Sequence, residues 1–166
     1  MRLRNHKPVV ALLSAVVALL CACNSNIVYS HYEHTPIAGW NKNNPQHFLL
    51  SPLRQGGLYR EEVGLRINGD YPFMGLTLIV EQQVLPSGTT RSDTLWCKLI
   101  DSDGTIQGEG FSYYQYTFHL CDMQLQQGDS LRVSIRHNMK REDLPGISDV
   151  GLTLHRIDPP AKASIY

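Results

Sequence analysis

Two apolar patterns divide the chain. From Val9 to Leu20 the residues are apolar apart from Ser14, in one unbroken run. After Asn24 they recur at every second position, in short rows. A period of two puts one set of side chains on each face of a strand. Val63, Leu65 and Ile67 alternate with Glu62, Gly64 and Arg66; Met74, Leu76, Leu78 and Val80 form an inward row, with Thr77 and Glu81 pointing away. Leu95, Cys97 and Leu99 alternate with Thr94, Trp96 and Lys98, and Tyr114, Tyr116, Phe118 and Leu120 make a further row. Leu131, Val133 and Ile135 follow, then Val150, Leu152 and Leu154 in a last strand over about 149–156. Shorter strands are expected near 27–33 and 46–50. Turn formers separate the rows: 35–45, 52–57, Asn68-Gly69-Asp70, Pro86-Ser87-Gly88, 101–110, Gln127-Gly128-Asp129 and 138–146. Asn-Gly is the strongest of these, a hairpin signal, because both residues tolerate positive φ. No segment carries a long helical period. The pattern predicts an all-β fold, an antiparallel β-sandwich of about eight strands, jelly-roll or immunoglobulin-like. A closed β-barrel is the alternative.

The first run is too short to span a bilayer comfortably and follows a basic head of Arg2, Arg4 and Lys7, as in a secretory signal peptide. Its end, Leu20-Cys21-Ala22-Cys23, resembles a bacterial lipoprotein signal, with a large aliphatic residue three before the modified cysteine and a small one just before it. Cys21 has Leu20 and Ala18 at those places, the wrong sizes; Cys23 has Ala22 and Leu20, so Cys23 is the expected lipidation site. The resulting division is a signal peptide at 1–22, a lipidated tether at 23–30, a sandwich domain at 31–157 and a flexible tail at 158–166. Three acyl chains would hold the protein on a membrane essentially permanently. Cleavage removes three basic residues, leaving 12 basic against 15 acidic side chains. That balance has no basic stripe and disfavours nucleic acid as a partner. The 144 remaining residues (166 − 22) suffice for one domain with a real core.

Candidate chemistry is sparse. Cys97 and Cys121 are the cysteines left after cleavage, and a bridge between them would close a loop of 25 residues, worth roughly 3–4 kcal/mol. Strand phase opposes it, because Cys97 belongs to an inward row and Cys121 falls opposite Phe118 and Leu120. A bulge would reconcile them; two small buried thiols are the other reading. His31 and His34 sit on opposite faces of a strand and assemble no metal site. Asp101 and Asp103 before Gly104 form a plain turn. No nucleophile elbow, phosphate loop or His-Glu-x-x-His stretch occurs, and the pairs Glu61-Glu62 and Glu142-Asp143 read as solvated rims. Neither a cofactor nor an enzyme activity is expected. Trp96 and Tyr113 fall on outer faces, where they would form an aromatic surface for a sugar or a protein, or lie under a loop.

A set of motifs spread over about 27–155 resembles the gliding-motility lipoprotein family GldH of Bacteroidetes. It comprises Val28-Tyr29, Trp40, Phe48, Leu65 to Phe73, Leu76-Thr77-Leu78, Asp93-Thr94-Leu95, Leu99-Ile100-Asp101, Gly104, Gly108-Glu109-Gly110 and, most specifically, Asn138 to Leu152. The resemblance implies a non-enzymatic, periplasm-facing outer-membrane lipoprotein. It would act as a structural or assembly component of gliding motility and the associated secretion machinery, with envelope proteins as partners. A glycan-binding envelope lipoprotein with an exposed aromatic face is the alternative. Asn24-Ser25-Asn26-Ile27 carries no charge, which favours the periplasmic face. Within the closing stretch, Met139, Leu144, Pro145, Gly146, Ile147 and Asp149 are candidates for partner docking. Pro145 and Gly146 re-aim the chain into the last strand, so a mere corner is the competing reading.

Overall fold

The computed structural model describes residues 26–157. The signal segment, Cys23 and the tail at 158–166 lie outside the described residues. Eight long strands and three two-residue pieces follow one another: β1 (Ile27–His34), β2 (Trp40–Asn41), β3 (Gln46–Leu50), β4 (Gly57–Asn68), β5 (Gly75–Leu85), β6 (Thr90–Lys98), β7 (Glu109–Gly110), β8 (Tyr113–Leu125), β9 (Ser130–His137), β10 (Asp143–Leu144) and β11 (Ile147–Ile157). One sheet has the order β1-β11-β4-β8-β7 and the other β3-β9-β5-β6, every neighbour antiparallel, while β10 and β2 pair by themselves. Among the links between the eight long strands, only β5–β6 stays within one sheet. That alternation is jelly-roll order, not the immunoglobulin one, and neither flank is hydrogen-bonded shut into a barrel.

The inward rows make the core. Val63, Leu65, Leu76, Leu78, Val80, Val133, Ile135, Val150, Leu152 and Leu154 have no exposed surface. Alternation therefore located the buried faces, since a strand with one apolar side gains most by turning it toward the facing sheet. Met74 is the exception, half exposed just before β5.

Two local readings are decided by pairing between strands. Asn68-Gly69-Asp70 is not a hairpin: β4 is already paired on both sides, with β11 and β8, and β5 belongs to the other sheet. Gly69 does not adopt positive φ; instead Asn68 Oδ1 accepts from the Asp70 N–H at 3.0 Å. Burial of the β5 row in the facing sheet overrides the local turn preference. In β8 the register shifts: Glu61 opposes Cys121 while Glu62 opposes His119, leaving Leu120 as the extra residue of a bulge. Tyr116 faces in before it; Cys121 and Leu125 face in after it.

Strand polarity gives the sandwich two poles. β1 begins, β11 ends and β4 begins at one pole, together with the 51–56 and 126–129 loops, which bond to each other through Leu53 N to Asp129 O at 2.8 Å and Gly128 N to Leu53 O at 2.9 Å. At the opposite pole lie the connections 35–45, 69–74, 99–112 and 138–146. The twelve residues of β4 separate the poles by about 36 Å at the rise of an extended strand. β1 starts at Ile27, inside the 23–30 stretch expected as a tether, while Cys23 lies outside the described residues.

Candidate functional site

Three of the four connections at the far pole are tied together. The 35–45 segment is stitched to 138–148 by the β2–β10 pair, by Lys42 N to Glu142 O and Thr35 N to Ser148 O, each 3.0 Å, and by the Thr35 hydroxyl donating to the Ile147 carbonyl. Asn41 Nδ2 donates to Asp143 Oδ1 at 2.8 Å. Asn68 N donates to Gly146 O at 2.8 Å, tying in the third connection. Gly146 has φ +80°, and a Cβ there would stand 2.3 Å from the Tyr71 nitrogen, so only glycine lets the chain turn this close.

Under these loops lie Trp40 and His137, both fully buried, with ring centroids 5.2 Å apart and edge-to-face. Trp40 Nε1 donates to Asn44 O at 2.9 Å. His137 Nε2 faces Trp40 O at 3.0 Å, and a carbonyl only accepts, so Nε2 carries the hydrogen. Nδ1 then receives the Met139 N–H at 3.4 Å. Burial holds the imidazole below its ordinary pKa, against the opposing pull of the Trp40 and Glu142 carbonyls. The ring is a neutral strut.

Of the docking candidates, Leu144, Ile147 and Asp149 are buried, while Met139, Pro145 and Gly146 are half-buried. Asp149 accepts from Ser148 Oγ at 2.7 Å and pairs with His34. These residues shape the corner from beneath. Its outer surface is Ile37, wholly exposed, with Lys140, Arg141 and Glu142.

The other candidates are scattered. Cys97 and Cys121 are free buried thiols on opposite sheets. The bulge does turn Cys121 inward, as a bridge would need, but toward Glu61: Sγ to Oε2 is 3.6 Å. Glu61 is not a solvated rim residue; it is fully buried, and with Gln82 it leaves one oxygen apiece, Oε1, without a hydrogen-bond partner. Desolvation raises its carboxyl to about 7. Glu62 does reach solvent and pairs with His155 at 2.9 Å. Trp96 and Tyr113 are 62% and 54% exposed but lie on different sheets. The Trp96 indole lies against Gly75, where a Cβ would come within 2.5 Å of the ring, so the ring rests on the strand.

His137 and Glu61 were missed by residue chemistry alone, yet parity marks both. His137 extends the row Leu131, Val133, Ile135, and Glu61 sits in the row Tyr59, Val63, Leu65.

The sequence model of the GldH lipoprotein family matches residues 27–154. The Gliding motility lipoprotein GldH of Flavobacterium johnsoniae is 32% identical over 165 residues, covering 95% of this chain and 100% of that protein. A Gliding motility lipoprotein GldH homolog of Christiangramia forsetii is 27% identical, covering 86% of this chain and 91% of its own length. Among solved structures, an Eiger TNF from S. frugiperda aligns over 82% of this chain and 97% of its own, at 9% identity and a TM-score of 0.36.

Proposed function

The chain belongs to the GldH lipoprotein family, and from that membership we propose that it serves gliding motility as a lipid-anchored, non-enzymatic assembly component. The curated relatives are named for motility and carry no enzyme name. In this reading Cys23 is acylated, the anchor sits in the outer membrane and the domain faces the periplasm. The uncharged exit at Asn24 to Ile27 supports that orientation. The far pole docks an envelope protein of the motility and associated secretion machinery.

One observation carries the proposal. The stretch Asn138 to Leu152 builds a braced corner at the pole opposite the end where the chain leaves toward Cys23. A rigid platform held about 36 Å from the near pole is suited to present loops to a partner. Ile37, Lys140, Arg141 and Glu142 are the contacts; Met139, Leu144, Pro145, Gly146, Ile147 and Asp149 position them. The test is a Lys140→Glu/Arg141→Glu double substitution in cells. Spreading motility and recovery of crosslinked envelope partners both fall, while membrane fractionation and melting temperature are unchanged. Full motility with normal crosslinks would refute the assignment.

A second reading has one observation in its favour: Trp96 laid against Gly75, as a platform for stacking a sugar ring. Retention on immobilised envelope glycans, lost in Trp96→Ala, would mark that activity.

A further inference from the structure

We propose that the pole nearest Cys23 is itself a lipid-headgroup surface, with Arg54 and Arg156 taking the phosphate of a bilayer phospholipid. The proposal rests on the reading of Cys23 as the anchor. From Cys23 to Asn26 is three residues of chain, a reach of about 11 Å when fully extended. If the acyl chains start at the headgroup boundary, the pole stays within a few ångströms of a headgroup layer roughly 5–8 Å deep.

The surface there suits that contact. Ile27, Val28, Leu49 and Leu58 are 45%, 46%, 66% and 37% exposed, and all lie toward this pole. Beside them runs a groove of about 510 Å³ whose walls include Val28, Leu50 and Leu53 and whose polar side is Arg54, Gln55 and Arg156. Apolar walls beside guanidinium groups match a phospholipid, whose phosphate accepts paired N–H donors from arginine while its glycerol and upper acyl carbons need cover. Arg156 is oriented by its Nη1 bond to Gln55 Oε1.

Charge agrees. The near-pole loops 51–56, 86–89 and 126–129 hold one carboxylate, Asp129, and it is engaged by the Gln126 N–H at 2.8 Å. At the far pole the single connection 99–112 carries Asp101, Asp103 and Glu109. The near end therefore meets a phosphate layer with little repulsion.

The experiment is hydrogen exchange on the full lipidated protein. It is measured in vesicles of phosphatidylethanolamine and phosphatidylglycerol and in phosphate-free maltoside micelles. Exchange at 26–29 and 50–56 is expected to slow roughly tenfold in vesicles, with no change at 138–146. Arg54→Glu should still float with the vesicles but lose the slowing. Equal exchange in vesicles and micelles would overturn the proposal. So would the same slowing from inorganic phosphate added to micelles, which would mark a soluble-phosphate pocket instead. Failure of the wild-type protein to float would sink the anchor reading first, and this one with it.

Discussion

At the far pole His137 is fully buried with both ring nitrogens engaged. On the flank between β6 and β8, Glu61 is equally buried, yet its Oε1 meets no partner, nor does Oε1 of Gln82. Both groups sit at the margin of one apolar core. The difference is in what each neighbour supplies. Around His137 the loops offer a carbonyl on one side and an N–H on the other, so a neutral imidazole satisfies both. Around Glu61 the hydrogen-bonding neighbours are the Cys121 thiol, 3.6 Å away, and the Gln82 amide, itself 3.9 Å from that thiol, all weak. Matched polar burial fixes a single geometry, while unmatched burial leaves a group whose charge state the surroundings decide. A platform meant to present contacts needs the first kind, and the second records a cost the rest of the core absorbs.

Four substitutions or titrations probe that contrast. The largest effect is expected from Trp40→Ala, which removes the ring that His137 packs against and empties the corner. Denaturant unfolding should show a loss of about 3–5 kcal/mol, and a loss below 1 kcal/mol would mean the corner is not part of the cooperative core. Gly146→Ala comes next, at about 2–3 kcal/mol, because the new Cβ meets both a positive φ and the Tyr71 backbone. Gly69→Ala is the control: nothing lies within 4 Å of its Cβ position, so its unfolding midpoint should barely move.

Glu61 gives the third. Burial raises its folded-state carboxyl to about 7, with Cys121, Gln82 and Arg91 pulling it down and Asp93 pushing it up. An acid raised on folding holds its proton more tightly in the native state. Stability is then full below the unfolded value of about 4.3 and falls as pH rises toward 7. Glu61→Gln should abolish this slope and be more stable than wild type at pH 8, by on the order of 2 kcal/mol. An unchanged slope would show that Glu61 is not the titrating group. The smallest effect is the opposite one at His137. Its folded value is depressed, with the Trp40 and Glu142 carbonyls, Lys42 and Asp143 facing it. Its contribution is present above about 6.5 and declines as pH falls below that. In the Glu61→Gln background, where the other slope is gone, melting temperatures between pH 7.5 and 5.5 should fall with acid, and His137→Gln should flatten the fall.

Much of the fold could be read in advance, and the failures share a cause. Rows of period two located the inward faces of β4, β5, β6, β9 and β11, because a strand's facing is a local property. Pairing is not local. Asn68-Gly69-Asp70 has hairpin chemistry, yet its two strands lie in opposite sheets, and nothing within three residues records that. The bulge at Leu120 is likewise a property of the β4–β8 register, so the inward turn of Cys121 escaped a simple parity count. The buried His137 and Glu61 were legible in principle. Each continues an apolar row, and weighing residue type over position hid them. The corner itself was half legible: 138–146 stood out as a loop, but its stitching to Thr35, Trp40 and Lys42 depends on residues about a hundred positions away.

In the proposed arrangement the far pole meets protein while the near pole stays by the anchor. Photo-crosslinking in living cells tests it most directly, with the reactive residue placed at Ile37 or Lys140 and, in parallel, at Gln127. Discrete protein adducts of motility or secretion components are expected from Ile37 and Lys140, and none from Gln127. Adducts from Gln127 alone, or equal adducts from both poles, would contradict it.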